Sequence, residues 1–192
     1  MGTKQLKHVV VETINQKYRR LRHLINDGDL ILFHGTGIVA RTIQAADSSY
    51  YNHVGVVFKK LGALYIVDAN ADGVQADRLS RRINKYRKGG DFTIIKPLRT
   101  SQEIETALTR LLTRSDEKTI KYDFVNGIKE LLNRRFGWSL IVDADESHDI
   151  CSDFVSQYQI DLNIVVEEFK HLRIAFPEDT IRYKNDYVLV IN

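Results

Sequence analysis

The sequence predicts an α+β fold in which an antiparallel sheet packs against helices that lie mainly on one of its faces. Two observations lead to this prediction. Short runs rich in β-branched and aromatic residues are concentrated in the first half, at DLILF, HVGVVF, LYIVD and FTIIK. Longer segments with apolar residues at three- and four-residue steps precede and follow them. The composition, 43% apolar and 28% charged over 192 residues, is that of a globular chain.

The first element is a predicted helix within residues 1–26. Its apolar stripe consists of Leu6, Val10, Ile14, Tyr18, Leu21 and Ile25. The Asn-Asp-Gly turn at 26–28 ends it, and a strand is expected at 29–33. A loop and a short helical stretch at 38–46 follow. Strands are then expected at 53–58, 64–68, 73–79 and 92–96, the first two of them as a hairpin.

The second half is predicted to be mainly helical. Thr100 and Glu103 have the spacing of a capping box, and apolar residues follow at helical steps. Further helices are expected at 123–134 and 149–158, and a final strand at 186–191. We interpret residues 1–192 as one domain, with a core pattern at 28–156 and an extension at 157–192 that ends in this strand.

Charge and composition exclude several classes of function. A net charge of +3 is too small to predict binding to nucleic acid, which requires clustered cations. The first residues lack the apolar stretch of a secretory signal, and no apolar run approaches the length of a membrane span. A single cysteine fits a reducing compartment. The sequence therefore predicts a cytoplasmic protein for which membrane binding is not expected.

Thiol chemistry is the most specific expectation. A nucleophilic thiol needs a stabilised thiolate, a base and a group that orients the base. Cys151 follows Asp149, a suitable N-cap, and would lie in the first turn of a helix, where the helix dipole favours a thiolate. His53 opens a predicted strand, and Asp68 ends the next one. If these strands pair, Asp68 can hold the far nitrogen of the imidazole.

A family resemblance supports this interpretation. The strings GDLILFHGTG, SSYYNHVGVVF, YIVDANADGV, YDF and ICSDFV resemble the circularly permuted papain-like amidases, which are related to NlpC-type murein peptidases and to the lecithin:retinol acyltransferase group. The resemblance implies a permuted papain-like fold and a triad of Cys151, His53 and Asp68. The family more often has glutamate at the position of Asp68, so Asn70 is the alternative third member.

Four further residues are assigned to substrate binding. His34 and Gly35 belong to the HGTG loop, which follows the first strand and is expected to form one wall of the cleft. Tyr51 precedes His53 in the same turn, and the resemblance places Tyr122 of the YDF string near the oxyanion. The basic segment 78–88, which includes Arg82, is interpreted as a solvated face, with attraction of an acidic substrate or partner as the alternative.

The expected function is that of a cysteine hydrolase that cleaves an amide bond, in a peptide or a murein-type peptide, through an acyl-enzyme on Cys151. One alternative is an acyltransferase, thioesterase or lipid hydrolase of the lecithin:retinol acyltransferase type. Another is a catalytically inactive binding module on the same fold. No cofactor is expected, and the scattered histidines predict no metal site. The sequence does not determine the oligomeric state.

Overall fold

The computed structural model describes residues 12–70, 73–116, 121–122, 148–149, 151–164 and 186–190. Eight strands lie in these ranges: β1 (Leu30–His34), β2 (His53–Lys60), β3 (Ala63–Asn70), β4 (Gly73–Arg78), β5 (Asp91–Pro97), β6 (Lys121–Tyr122), β7 (His148–Asp149) and β8 (Tyr187–Val190). Six of them form an antiparallel sheet in the order β4-β3-β2-β1-β5-β8. The other two, β6 and β7, form a short parallel pair.

The described helices are α1 (Ile14–Leu21), α2 (Ile38–Asp47), α3 (Leu79–Lys85), α4 (Ser101–Asp116) and α5 (Cys151–Asp161), with a 3-10 turn at Arg22–Leu24. The α+β class and the antiparallel sheet are therefore as predicted. The final strand, expected at 186–191, is present as β8. The helix expected at 123–134 lies outside the described residues.

Local hydrogen bonds explain where two helices begin. At α4, the backbone N–H of Glu103 donates to Thr100 Oγ1 at 3.3 Å, and the Glu103 carboxylate accepts from the Thr100 N–H at 2.8 Å. This is the predicted capping box. A second box, formed by Thr13 and Gln16, starts α1 at Ile14. Helix α1 begins at Ile14 because Thr13 is extended. The stripe residues Leu6 and Val10 lie outside the described residues.

Helices cover both faces of the sheet, which corrects the prediction that they lie mainly on one. One core joins the sheet to α1 and α3 through Ile14, Leu21, Ile25, Ile31, Phe33, Val57, Ile66, Leu79, Ile83, Phe92 and Ile94. The other joins it to α4 and α5 and includes Leu30, Leu32, Val54, Val56, Val67, Leu108, Leu111, Val155 and Tyr158. Uninterrupted apolar runs such as LILF have no polar face, so both of their sides must be covered.

No helix in the described ranges is long and apolar enough to cross a bilayer.

Candidate active site

A buried histidine–carboxylate pair lies between the sheet and α3. His53 opens β2 opposite Phe33 of β1, and the two rings are 5.8 Å apart. Since directly opposed residues share a face of the sheet, His53 faces the α1 and α3 side together with Phe33. Asp68, near the end of β3, places Oδ2 2.9 Å from His53 Nε2. The predicted pairing of His53 with Asp68 is therefore present.

The hydrogen bond to Asp68 assigns the histidine tautomer. A carboxylate is only an acceptor, so Nε2 of His53 carries the proton in this bond. In the neutral ring Nδ1 is then the basic nitrogen. His53 is 7% exposed and Asp68 is fully buried. Burial strengthens the bond and restricts the orientation of the ring.

A second layer of side chains holds the other oxygen of Asp68. Arg82 of α3 donates from Nη2 to Asp68 Oδ1 at 2.8 Å, and Asn70 donates from Nδ2 to the same oxygen at 2.6 Å. Arg82 also donates from Nη1 to Asn70 Oδ1 at 3.0 Å. Asp68, rather than Asn70, contacts the imidazole. Asn70, the alternative third member, supports Asp68 and Arg82 instead.

The basic segment is predicted to form a solvated face, and this prediction is wrong for Arg82, because only 3% of its surface is exposed. It is one turn of α3 from the buried Leu79 and beside the buried Ile83. That i, i+3, i+4 spacing is a signal in the sequence for a helix face that packs on the sheet. The run of neighbouring basic residues masks this signal, since five of the six cations of the segment suit an exposed surface.

The first residue of α5 points toward the end of the sheet at which β2 begins, where His53 also lies. The Tyr158 hydroxyl donates to the carbonyl of Gly28 at 3.1 Å, and Arg99 donates from Nε to the carbonyl of Leu162 at 2.8 Å. Both contacts lie at the edge where β1 begins and β5 ends. Because α5 packs along β2 and β3, its N-terminus at Cys151 points toward the opposite edge, where β2 begins.

The predicted nucleophile is the first residue of α5, as expected, but the side chain of Cys151 lies outside the described part of the chain. The predicted N-cap is wrong, since Asp149 is in β7 and pairs with Tyr122. The body of α5 covers the sheet face opposite to the one that His53 faces.

The HGTG loop is hydrogen-bonded to Asn52, the residue that precedes His53. The N–H of Gly35 donates to the side chain of Asn52 at 2.5 Å. The His34 ring stacks on Tyr50 at 4.1 Å, and Gln44 lies 2.9 Å from His34 Nδ1. Burial, with a smaller contribution from Asp91, raises the pKa of Tyr50. The loop therefore lies at the end of the sheet where β2 begins.

Tyr51 and Tyr122, the two tyrosines predicted to bind substrate, lie in different parts of the structure. Tyr51 packs against the core on the α4 and α5 side, and its hydroxyl donates to Thr93 Oγ1 at 2.9 Å. It is therefore not on the sheet face of His53 and Asp68. Tyr122 lies in β6, but its side chain is outside the described part of the chain.

Comparison with known proteins shows that this chain is similar in fold to a solved structure. No family model matches the sequence, and no curated protein matches it. Among solved structures, the metalloprotein YiiX from Escherichia coli O157:H7, DUF1105, superposes with a TM-score of 0.54 at 15% sequence identity. The match covers 87% of this chain and 97% of YiiX. At this identity the similarity shows a shared fold and nothing about activity.

Proposed function

We propose that the chain is a permuted papain-like thiol hydrolase that cleaves an amide bond, with Cys151 as nucleophile, His53 as base and Asp68 as the group that orients the base. The observation that carries this proposal is the buried His53–Asp68 pair, with Nε2 of the ring held at 2.9 Å. Cys151 at the start of α5 supports it, because a helix N-terminus stabilises a thiolate.

The proposed reaction has two steps. The Cys151 thiolate attacks the carbonyl carbon, the carbon–nitrogen bond breaks, and the proton that Nδ1 of His53 took from the thiol passes to the leaving amine. Water then attacks the thioester, returns a proton through Nδ1, and releases the acid with Cys151 as the thiol. Backbone N–H groups at the start of α5 are suited to stabilise the oxyanion in both steps.

The proposed substrate is a small peptide or amide, and a murein-type peptide is the first class to test. This assignment rests on the resemblance of the motifs around His53 and Cys151 to the permuted amidases. An acyltransferase would form the same thioester but pass the acyl group to another nucleophile instead of water. Product analysis with and without an added amine or alcohol separates these two outcomes.

The similarity to a described metalloprotein raises the question of a metal at this site. Among the residues that the structure describes, no group of three or more His, Cys, Asp and Glu side chains could hold a metal ion. Both oxygens of Asp68 are hydrogen-bonded, one to His53 and the other to the cationic Arg82. A guanidinium at 2.8 Å repels a metal cation. The described residues of the site therefore do not fit a metal, and no step is assigned to one.

The decisive experiment measures alkylation of the thiol by iodoacetamide from pH 4 to pH 10, in the wild type, in His53→Ala and in His23→Ala. The exposed His23 serves as the matched control. We expect rapid alkylation well below the ordinary titration range of a thiol near about 8.5, a loss of about 10²-fold or more in His53→Ala, and no change in His23→Ala. A thiol of ordinary reactivity that does not depend on His53 contradicts the enzyme and favours an inactive binding module.

A further inference from the structure

The carboxylate of Asp68 accepts hydrogen bonds from two side chains, the imidazole of His53 and the guanidinium of Arg82. Its Oδ2 atom accepts from His53 and its Oδ1 atom accepts from Arg82, both within 2.9 Å. The side chains of Asp68 and Arg82 are 0% and 4% exposed, so solvent screens neither charge. His53 therefore faces a carboxylate whose charge is already balanced by a fixed guanidinium.

We propose that Arg82 is a positioning residue that neutralises Asp68, so that the Asp68–Arg82 pair acts on His53 as a neutral acceptor. This inference rests on the proposed function. In the papain-type arrangement of cysteine, histidine and asparagine, a neutral amide occupies the third position. Here an aspartate and an arginine together provide the same net charge.

The neutral pair has a consequence for proton transfer. An isolated buried carboxylate beside the ring would stabilise the imidazolium strongly, since opposite charges at hydrogen-bond distance attract in a medium of low dielectric constant. His53 would then retain the proton that it must give to the leaving amine. By opposing this attraction, Arg82 keeps the imidazole able both to accept the proton and to return it.

The other groups around His53 agree with this assignment. Phe33 of β1 packs beside the imidazole, and Tyr86, which follows α3, stacks on Phe33 at 4.6 Å. Within the part of the chain that the structure describes, Asp68 of β3 is an ion-pair partner of the ring, and Arg82 of α3 is an ion-pair partner of Asp68. Cys151 starts α5 at the same edge of the sheet.

A purely structural role explains Arg82 less well. Replacing a buried ion pair with apolar residues often leaves stability unchanged or raises it. Within the described ranges, the buried Nε of Arg82 has no hydrogen-bond partner. A buried N–H without a hydrogen-bond partner destabilises the folded state. An arginine at this position is therefore less favourable for stability than an apolar residue, unless its charge acts on Asp68.

The test measures the pH at which the His53 ring gains its second proton, by NMR of ¹⁵N-histidine-labelled protein. It is done in a Cys151→Ser background, so that the ring titrates without the thiol. The resonances of His53 are identified by their loss in His53→Ala. Three variants are compared with this parent: Arg82→Met, Asp68→Asn, and the two combined. Arg81→Met is the matched control, because Arg81 lies on the same helix and pairs with Asp77 at the surface.

The proposal predicts the direction in which each substitution shifts the titration midpoint of His53. Arg82→Met raises the titration midpoint of His53 by about one pH unit, Asp68→Asn lowers it by a similar amount, and the double variant returns close to the parent. Arg81→Met leaves the midpoint unchanged. If folded Arg82→Met titrates like the parent, or if the double variant keeps the shift of either single variant, the proposal is wrong.

Two further measurements keep the result interpretable. If Arg82→Met does not fold, Arg82→Lys replaces it; a lysine keeps the charge, so its midpoint must remain near the parent value, and a shift of about one unit overturns the proposal. The alkylation experiment on Cys151 is independent of this titration. A reactive, His53-dependent thiol together with an unshifted midpoint rejects the role of Arg82 and leaves the proposed function intact.

Discussion

A Cβ atom added to Gly55 would lie 2.9 Å from the Cβ atom of Asp68, closer than real side-chain atoms approach. The same atom would lie 2.8 Å from Ile66. Gly55 is two residues after His53 on β2, so these two positions share one face of the sheet. The pairing of β2 with β3 puts Ile66 and Asp68 on the same face. The missing side chain at residue 55 thus provides the space in which Asp68 reaches the imidazole.

We predict that Gly55→Ala displaces Asp68 and Ile66, lowers the free energy of unfolding by about 1–3 kcal/mol, and slows His53-dependent alkylation of Cys151. Chemical denaturation and the alkylation rate at neutral pH measure the two effects. Gly37→Ala is the control, because nothing lies within 4 Å of a Cβ at that residue. Equal stability of the two variants would show that β2 and β3 can separate without cost.

The third member of the site is identified by comparing two substitutions. Asp68→Ala removes the acceptor of His53 Nε2, so we expect the alkylation rate to fall by about 10²-fold. Asn70→Ala removes only a support of Asp68 and should cost less than about tenfold. Asp77→Ala, at a surface ion pair, serves as the control for a lost carboxylate. A larger effect of Asn70→Ala than of Asp68→Ala would reverse the assignment.

Buried tyrosines give the fold a defined alkaline limit. Burial, the largest cause, raises the pKa of Tyr158 and of Tyr187 far above the ordinary value. In the unfolded chain these phenols ionise near pH 10, at about their model value. Their contribution to stability is therefore complete below about pH 10 and is lost as the pH rises above it. Unfolding curves measured at increasing pH, with tyrosinate absorbance, should show these two phenols ionising only as the chain unfolds.

One variant separates these phenols from the exposed ones. Tyr158→Phe removes the hydrogen bond to the Gly28 carbonyl and should cost about 1 kcal/mol at neutral pH. It should also make stability less sensitive to alkali, because one buried phenol no longer ionises on unfolding. Tyr65→Phe, at a partly exposed ring on β3, is the control. Equal alkaline sensitivity of the wild type and Tyr158→Phe would contradict the assignment.

The capping box of α4 is a test of local stability remote from the site. Thr100→Ala removes the acceptor of the Glu103 N–H and should lower the free energy of unfolding by about 1 kcal/mol. Thr106→Ala, where an exposed hydroxyl bonds to the Gln102 carbonyl within the helix, should be nearly neutral. Thermal unfolding distinguishes the two, and the thiol should be equally reactive in both.

Features encoded by local patterns could be predicted from the sequence. The strands at HVGVVF and LYIVD, the start of α4 at Thr100, and the approach of Asp68 to His53 all follow from short-range patterns and one hairpin. Once these two strands pair, the end of one lies beside the beginning of the other. No long-range information is needed to bring these two side chains together.

Features set by tertiary packing could not be predicted in this way. The covering of both sheet faces depends on where α1 and α3 dock, and periodicity does not state which face a helix covers. The spacing of Leu79, Arg82 and Ile83 indicates a buried face of α3, but the contact between Arg82 and Asp68 depends on where α3 packs on the sheet. The start of α5 also differs from the prediction, since Asp149 lies in β7 opposite Tyr122 and the helix begins at Cys151.

The contact between Tyr158 and Gly28 joins residues that are 130 positions apart. A ribosome must therefore synthesise most of the chain before α5 can cover the apolar side of strands made much earlier. During that interval Leu30, Leu32 and Val56 have no helix α5 to pack against, and exposed apolar strands of this kind aggregate readily. Production of the chain in cells should therefore depend on chaperones that shield nascent chains, and slow synthesis at low temperature should raise its yield.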